Sequence, residues 1–305
     1  MKVALVHNFY QQPGGEDQVF EAEAAMLESH GHKVLRYTVH NSDINAKSKA
    51  SLACTAIWSA NQYSKLKKLF RGYRPDVVHV HNTLPLISPA VYYAAQATGA
   101  AVVQTVHNYR YACPNGLLFR NGQVCEDCVG KLVALPGVVH ACYRGSRSAT
   151  GVVAAMLAFH KLRGTYHEFV DRYIALTEFS RLKLVKMGLP EEKLVVKPNF
   201  IEPDPGMGDG GGNYALFVGR LTEEKGVRVL LKAWERIGTK LPLNVVGAGP
   251  LSSDFAHSGT PGVRYIGQRS RYEVFDLMRS AKFLIFPSLW YEVFPMTILE
   301  AFAAG

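Results

Sequence analysis

The chain has 305 residues, a net charge of +9, 48% hydrophobic residues and 19% charged residues. This length suggests about two domains, and the composition excludes a disordered or low-complexity chain. No apolar run approaches the ~20 residues needed to span a bilayer. There is no nucleic-acid-binding motif, so nucleic acid is not an expected partner.

The charge is uneven. Residues 1–200 hold 23 Lys+Arg against 14 Asp+Glu, and residues 201–305 hold 11 of each. The basic excess suits an anionic membrane surface or a phosphate-bearing acceptor, or serves solubility alone. The start, Met1 to Asn8, reads as a buried strand and not a signal peptide, because His7 and Asn8 interrupt its apolar run. A cytoplasmic protein is therefore expected.

A tight loop, Gln11 to Glu16, follows, then a helix from Asp17 to His30. Gly14 and Gly15 let backbone approach a ligand at a helix N-terminus. They do not form G-x-G-x-x-G, so a dinucleotide cofactor is not expected. His32–Val39 predicts a second strand, residues 40–60 a loop with an irregular helix, and Ser64–Gly72 a short basic helix. Pro75–His81 and Ala101–His107 predict strands around a helix over Leu86–Ala97. His81 and His107 fall at strand C-terminal ends, where open α/β sheets collect ligands.

Residues 108–148 break the rhythm and hold Cys113, Cys125, Cys128 and Cys142. Clustered thiols in a cytosolic chain point to zinc or an iron–sulfur cluster, or are simply reduced cysteines in a buried insertion. Thr150–Val170 predicts one helix, Arg172–Thr177 a strand, Glu178–Ser180 the cap of the next helix, and Lys193–Asn199 a last strand. The Pro/Gly-rich stretch 201–212 reads as a linker between residues 1–200 and 213–305.

The second part starts afresh. Strands are predicted at Tyr214–Gly219, Leu241–Gly247, Val263–Gly267 and Phe283–Pro287, with helices over Val227–Ile237 and Tyr272–Ser280. This is the pattern of a parallel doubly wound sheet. Three loops at strand C-terminal ends then converge by topology: Gly219-Arg220 with Lys225, Gly247-Ala248-Gly249, and Glu292 to Thr297. Arg220 and Lys225 can reach one pyrophosphate. Pro295 marks a helix start, so the amides of Met296 and Thr297 can meet an anion. Glu292 in the loop and Glu300 inside the helix can accept hydroxyls.

These features closely resemble the retaining glycosyltransferases of family 4. The matching residues are Gly14-Gly15, His107, Pro198-Asn199, F-V-G-R-L-T-E-E-K-G (217–226), V-V-G-A-G-P-L (245–251) and E-V-F-P-M-T-I-L-E-A (292–301). The insertion H-N-Y-R-Y-A-C-P-N-G (107–116) resembles a cysteine-bearing subset. The resemblance implies an α/β, GT-B type fold: two Rossmann-like doubly wound domains facing across a cleft. It implies that Arg220 and Lys225 bind the donor diphosphate, with the Gly14-Gly15 loop against it. Glu300 would hold the ribose, Glu292 the sugar hydroxyls, and His107 would contact the sugar.

The implied reaction is sugar transfer from a nucleotide-diphosphate sugar to a glycan or lipid-linked acceptor, with no cofactor required for catalysis. Surface polysaccharide assembly at the inner membrane face is the setting it suggests. Family members continue past the second glutamate, so a C-terminally truncated second domain is expected, weakly stable or inactive. The alternative is a non-catalytic nucleotide-sugar-binding relative. GT-B isomerases and hydrolases are further alternatives.

Overall fold

The computed structural model describes residues 1–305 apart from Pro13 and the side chain of Ala46. The chain divides into two compact units: Met1–Leu118 with Glu126–Asn199, and Phe119–Cys125 with Phe200–Gly305. In chain order the first elements are β1 (Lys2–Phe9), α1 (Gly15–Ser29), β2 (Lys33–His40), α2 (Lys49–Ile57), α3 (Ala60–Tyr73), β3 (Val77–Val80), α4 (Ala90–Gln96) and β4 (Ala101–Val106). A small antiparallel hairpin follows, β5 (Phe119–Arg120) and β6 (Gln123–Val124). Then come α5 (Leu135–Val139), α6 (Arg147–Leu162), α7 (Thr165–Glu168), β7 (Arg172–Ala175), α8 (Glu178–Lys186) and β8 (Leu194–Val196).

The first unit is built on a six-stranded parallel sheet in the order β2-β1-β3-β4-β7-β8. Its central strands are apolar because both faces are covered. On one face Phe20 and Ala24 of α1 close over Val3 and Leu5, all buried. Strand order reverses between β1 and β3, so the loops after these strands part and open a crevice at their C-terminal ends. Asn8 ties the crevice together. Its amide donates to the Asn82 carbonyl at 3.0 Å, and its Oδ1 accepts from the Leu86 amide at 3.0 Å.

The second unit continues with β9 (Ala215–Val218), α9 (Val227–Ile237), β10 (Leu243–Val246), α10 (Ser252–Ala256), β11 (Val263–Gly267), α11 (Arg271–Ser280), β12 (Phe283–Leu284) and α12 (Met296–Ala304). Its four parallel strands lie in the order β11-β10-β9-β12. Val227, Leu230 and Trp234 of α9 fill one face with Phe217 and Val245. Phe275 and Met278 of α11 and Ala304 of α12 fill the other with Leu216 and Val246. Here the switch point falls between β9 and β12, placing the loops 219–226 and 285–295 side by side.

Three local expectations are corrected. The helix expected over Thr150–Val170 is two, α6 and α7, with the chain turning at Arg163-Gly164. The cap of α8 is Thr177, whose Oγ1 accepts from the Ser180 amide at 3.0 Å, and Glu178 is already helical. The last strand keeps only Phe283–Leu284, and beyond it the Ile285 amide still donates to the Leu216 carbonyl at 2.8 Å. The short helix α10 was not anticipated.

Candidate functional site

In the second unit the loops after β9 and β10 lie backbone on backbone. The Gly219 amide donates to the Val246 carbonyl at 3.1 Å, the Leu221 amide to the Ala248 carbonyl at 3.0 Å, and the Leu251 amide to the Leu221 carbonyl at 3.0 Å. Gly247 adopts φ +134, and a Cβ there would sit 1.9 Å from the Gly219 carbonyl oxygen. Glycine is therefore required at that crossing.

The switch point brings Lys225 and Glu292 together. Glu292 Oε1 accepts from Lys225 Nζ at 2.7 Å, from Ser288 Oγ at 2.6 Å and from Trp290 Nε1 at 2.8 Å. The Lys225 ammonium also stands 5.6 Å from the Phe286 ring centroid and 5.5 Å from that of Trp290. Such contacts hold a cation over aromatic faces. Gly226 follows at a close crossing, where a Cβ would lie 1.9 Å from the Pro287 carbonyl oxygen. Arg220 is exposed, with Nη2 3.9 Å from Glu224 Oε1. The helix α12 begins at Met296 with Pro295 at its N-cap, so Met296 and Thr297 form its opening turn. Glu300 is buried, and that burial raises its carboxyl above the usual range against the opposing charge of Arg271.

In the first unit, histidines gather at the sheet's C-terminal end. His107 lies just past β4, edge to edge with His81, with ring centroids 5.2 Å apart and planes 19° apart. His81 Nδ1 is 3.0 Å from His107 Nε2. Burial, then His81, keeps His107 well below the usual imidazole range, so it is neutral. His81, Gln104, His107, Arg110 and Tyr111 line a cavity of about 60 Å³. His7 Nε2 meets Asp17 Oδ1 at 2.6 Å, and Asp17 Oδ2 accepts from the Gly14 amide at 2.8 Å. Gly14 itself is extended, at φ −132, and forms the N-cap of α1. Next to it the Glu16 carboxyl is pushed up to about 8 by burial, against the charge of Arg110.

Sequence reasoning missed Glu23, His79 and Lys197. Glu23 Oε2 lies 3.1 Å from His81 Nε2 and 3.8 Å from His79 Nε2, and Glu23 Oε1 lies 2.5 Å from Lys197 Nζ. A signal was present. Glu23 occupies the same helical stripe as Phe20, Ala24 and Leu27, where an acid is out of place unless paired.

Within the insertion, Cys113 and Cys128 are buried and Cys125 and Cys142 half-buried. Burial pushes the Cys113 thiol up, while the backbone amides of Leu118, Gly116, Asn115 and Leu117 favour its thiolate.

Comparison with known proteins places these sites in a family context. Residues 13–205 match the family described as Glycosyltransferase Family 4, and residues 212–305 match Glycosyl transferases group 1. Over 100 residues the chain is 33% identical to the D-rhamnosyltransferase WbpZ of Pseudomonas aeruginosa, a match spanning 31% of this chain and 26% of that protein. Among solved structures, Anabaena HepE in complex with UDP and glucose has a TM-score of 0.62 at 14% identity, covering 99% of this chain and 78% of HepE. The lipopolysaccharide outer core galactosyltransferase WaaB has a TM-score of 0.58 at 15% identity, covering 99% and 78%. AviGT4, a glycosyltransferase of avilamycin A biosynthesis, has a TM-score of 0.52 at 16% identity, covering 98% and 76%. The fold is the α/β, GT-B type.

Proposed function

The chain belongs to glycosyltransferase family 4, and from that premise we propose that it transfers a sugar, with retention of configuration, from a nucleotide-diphosphate sugar to a glycan or lipid-linked acceptor. The observation that carries this reading is the Lys225–Glu292 pair at the switch point of the second sheet. Lys225 and Arg220 take the donor diphosphate. Three donors crowd Glu292 Oε1, which leaves Oε2 to accept sugar hydroxyls. Glu300 takes the ribose, the opening amides of α12 face the phosphates, and His107 contacts the sugar. The complexes of HepE with UDP and with UDP-glucose support a nucleotide-sugar donor.

Negative charge grows on the departing phosphate, so Lys225 and Arg220 act most strongly in the transition state. That phosphate also receives the acceptor's proton on the face it leaves, and no protein carboxylate need serve as nucleophile. Mass spectrometry of products from a panel of nucleotide sugars tests the reaction, and NMR of the anomeric centre tests retention. An inverted anomer would overturn retention. Donor binding without product would favour a non-catalytic binding relative, and free sugar alone would indicate a hydrolase.

A lipid-linked acceptor is supported by the first unit. Lys131, Lys161, His167 and Lys186 line a second cavity of about 320 Å³. Leu132, Leu135, Val139 and Leu162 are exposed on α5 and α6 and just before α5. No helix among the described residues is long and apolar enough to cross a membrane, so contact would be peripheral. We expect the protein to sediment with vesicles containing anionic lipid and Leu135→Asp to weaken that binding; equal sedimentation with neutral vesicles would refute an anionic surface.

The cysteine insertion is proposed to hold structural zinc or an iron–sulfur cluster through Cys113, Cys125, Cys128 and Cys142. Burial favours the protonated Cys113 thiol, so a metal there would have to displace its proton. Metal analysis of purified protein should find one zinc or one cluster per chain, and Cys113→Ser should lower both metal content and melting temperature. Metal-free protein with an unchanged melting temperature would sink this assignment.

A further inference from the structure

A polar thread runs through the first unit from its surface to the cavity beside His107. Lys197 Nζ meets Glu23 Oε1 at 2.5 Å, Glu23 Oε2 lies 3.1 Å from His81 Nε2, and His81 Nδ1 lies 3.0 Å from His107 Nε2. The outer end is open, with the Lys197 side chain 40% exposed, while those of Glu23 and His81 are 4% and 0% exposed. We propose that Glu23 and His81 are positioning residues that fix which nitrogen of His107 carries its proton, leaving His107 Nδ1 as a hydrogen-bond acceptor for a substrate hydroxyl. The proposal rests on the reading of His107 as a sugar contact.

Burial would raise the Glu23 carboxyl, but His81, His79 and Lys197 outweigh it and hold it well below the usual carboxylate range. An ionised carboxylate only accepts. A bare ring nitrogen 3.1 Å from it would set two lone pairs against each other, so His81 Nε2 carries hydrogen. The contact is not aligned as a hydrogen bond, and it works through charge and dipole. With both rings neutral, each carries one proton. His81 Nδ1 is then bare and accepts from His107 Nε2–H. The single proton of His107 is thereby committed to the interior, and Nδ1 keeps its lone pair. Lys197 balances the charge of Glu23, so the thread does not need a second proton on His81.

The same atoms invite a second use. The ligand atoms of Glu23, His79 and His81 lie within 4.8 Å of one another, a spacing compatible with a cation. Two contacts argue against it. The Lys197 ammonium already occupies Glu23 Oε1, and His79 Nε2 is 2.7 Å from Thr105 Oγ1.

Glu23→Gln tests the thread. The amide can donate to His81 Nε2, which moves the His81 proton to Nδ1. His107 Nε2 must then accept, and the proton of His107 moves to Nδ1. Nitrogen NMR of histidine-labelled protein near pH 8 should show His107 protonated at Nε2 in the wild type and at Nδ1 in the variant. Turnover with nucleotide sugar should fall about tenfold with donor KM nearly unchanged, and Glu23→Asp should restore part of it. A wild-type His107 protonated at Nδ1, or the same tautomer in both proteins, would overturn the proposal, as would one equivalent of zinc bound by the wild type and lost in Glu23→Gln. Should the variant not fold, the wild-type spectrum decides alone. Wild type that shows the expected tautomer but transfers no sugar would remove the glycosyl-transfer reading and not the thread.

Discussion

Lys225→Ala is expected to lower the turnover of sugar transfer about ten- to a hundredfold, the effect of losing one charge-assisted contact worth roughly 1.5–3 kcal/mol. Donor binding should weaken less, because phosphate charge grows as the bond to the sugar breaks. The structure sharpens this expectation. Lys225 is positioned by Glu292 and by the rings of Phe286 and Trp290, so its ammonium is already placed before a donor arrives. In the variant, Glu292 Oε1 keeps Ser288 and Trp290 as donors, so the loop should retain its shape. Single-turnover kinetics beside donor titration separate the two effects. Equal turnover in wild type and variant would remove Lys225 from the chemistry.

The largest expected stability loss is that of Gly247→Ala. The residue sits at φ +134, and a Cβ would fall 1.9 Å from the Gly219 carbonyl oxygen. Neither side can yield easily. The Gly247 amide is bonded to the Gly267 carbonyl at 2.9 Å, and the Gly219 amide to the Val246 carbonyl at 3.1 Å. Backbone strain plus a forced displacement should cost at least about 3 kcal/mol, or roughly 10 °C in melting temperature for a unit of this size. Gly14→Ala is the control. Its φ of −132 is ordinary, and a Cβ there meets nothing within 4 Å. Thermal denaturation that leaves Gly247→Ala within a degree or two of wild type would show that the two loops can part.

The fold was largely legible because both sheets are parallel and buried on both faces. Short apolar runs ending in Gly, His or Asn and alternating with amphipathic helices admit few other architectures. Boundaries failed where tertiary contacts overrule local signals. The strand after α11 reads as five apolar residues, but only Phe283–Leu284 pair as strand before the backbone turns toward Glu292. The break between α6 and α7 hides inside a run whose apolar period continues.

The candidate residues could be located one by one, since Arg220, Lys225 and Glu292 stand in loops after strands and Glu300 inside α12. The direct pairing of Lys225 with Glu292 was not. It depends on which two loops meet at the switch point, and that follows from strand order, not from either segment. The same holds for Glu23, which becomes meaningful only once α1 packs its acid against the end of β3.

The crossing of the loops after β9 and β10 also bears on attempts to redesign donor preference. Gly219 is held by Val246, and Leu221 by Ala248 and Leu251, through main-chain atoms, so the two loops form a single ledge and not two adjustable arms. A library that randomises either loop alone would mostly collect misfolded chains. Variation is better directed at side chains that leave the ledge, with Arg220 and the glycines held fixed. Specificity would then be altered by what stands on the ledge while its shape is inherited unchanged.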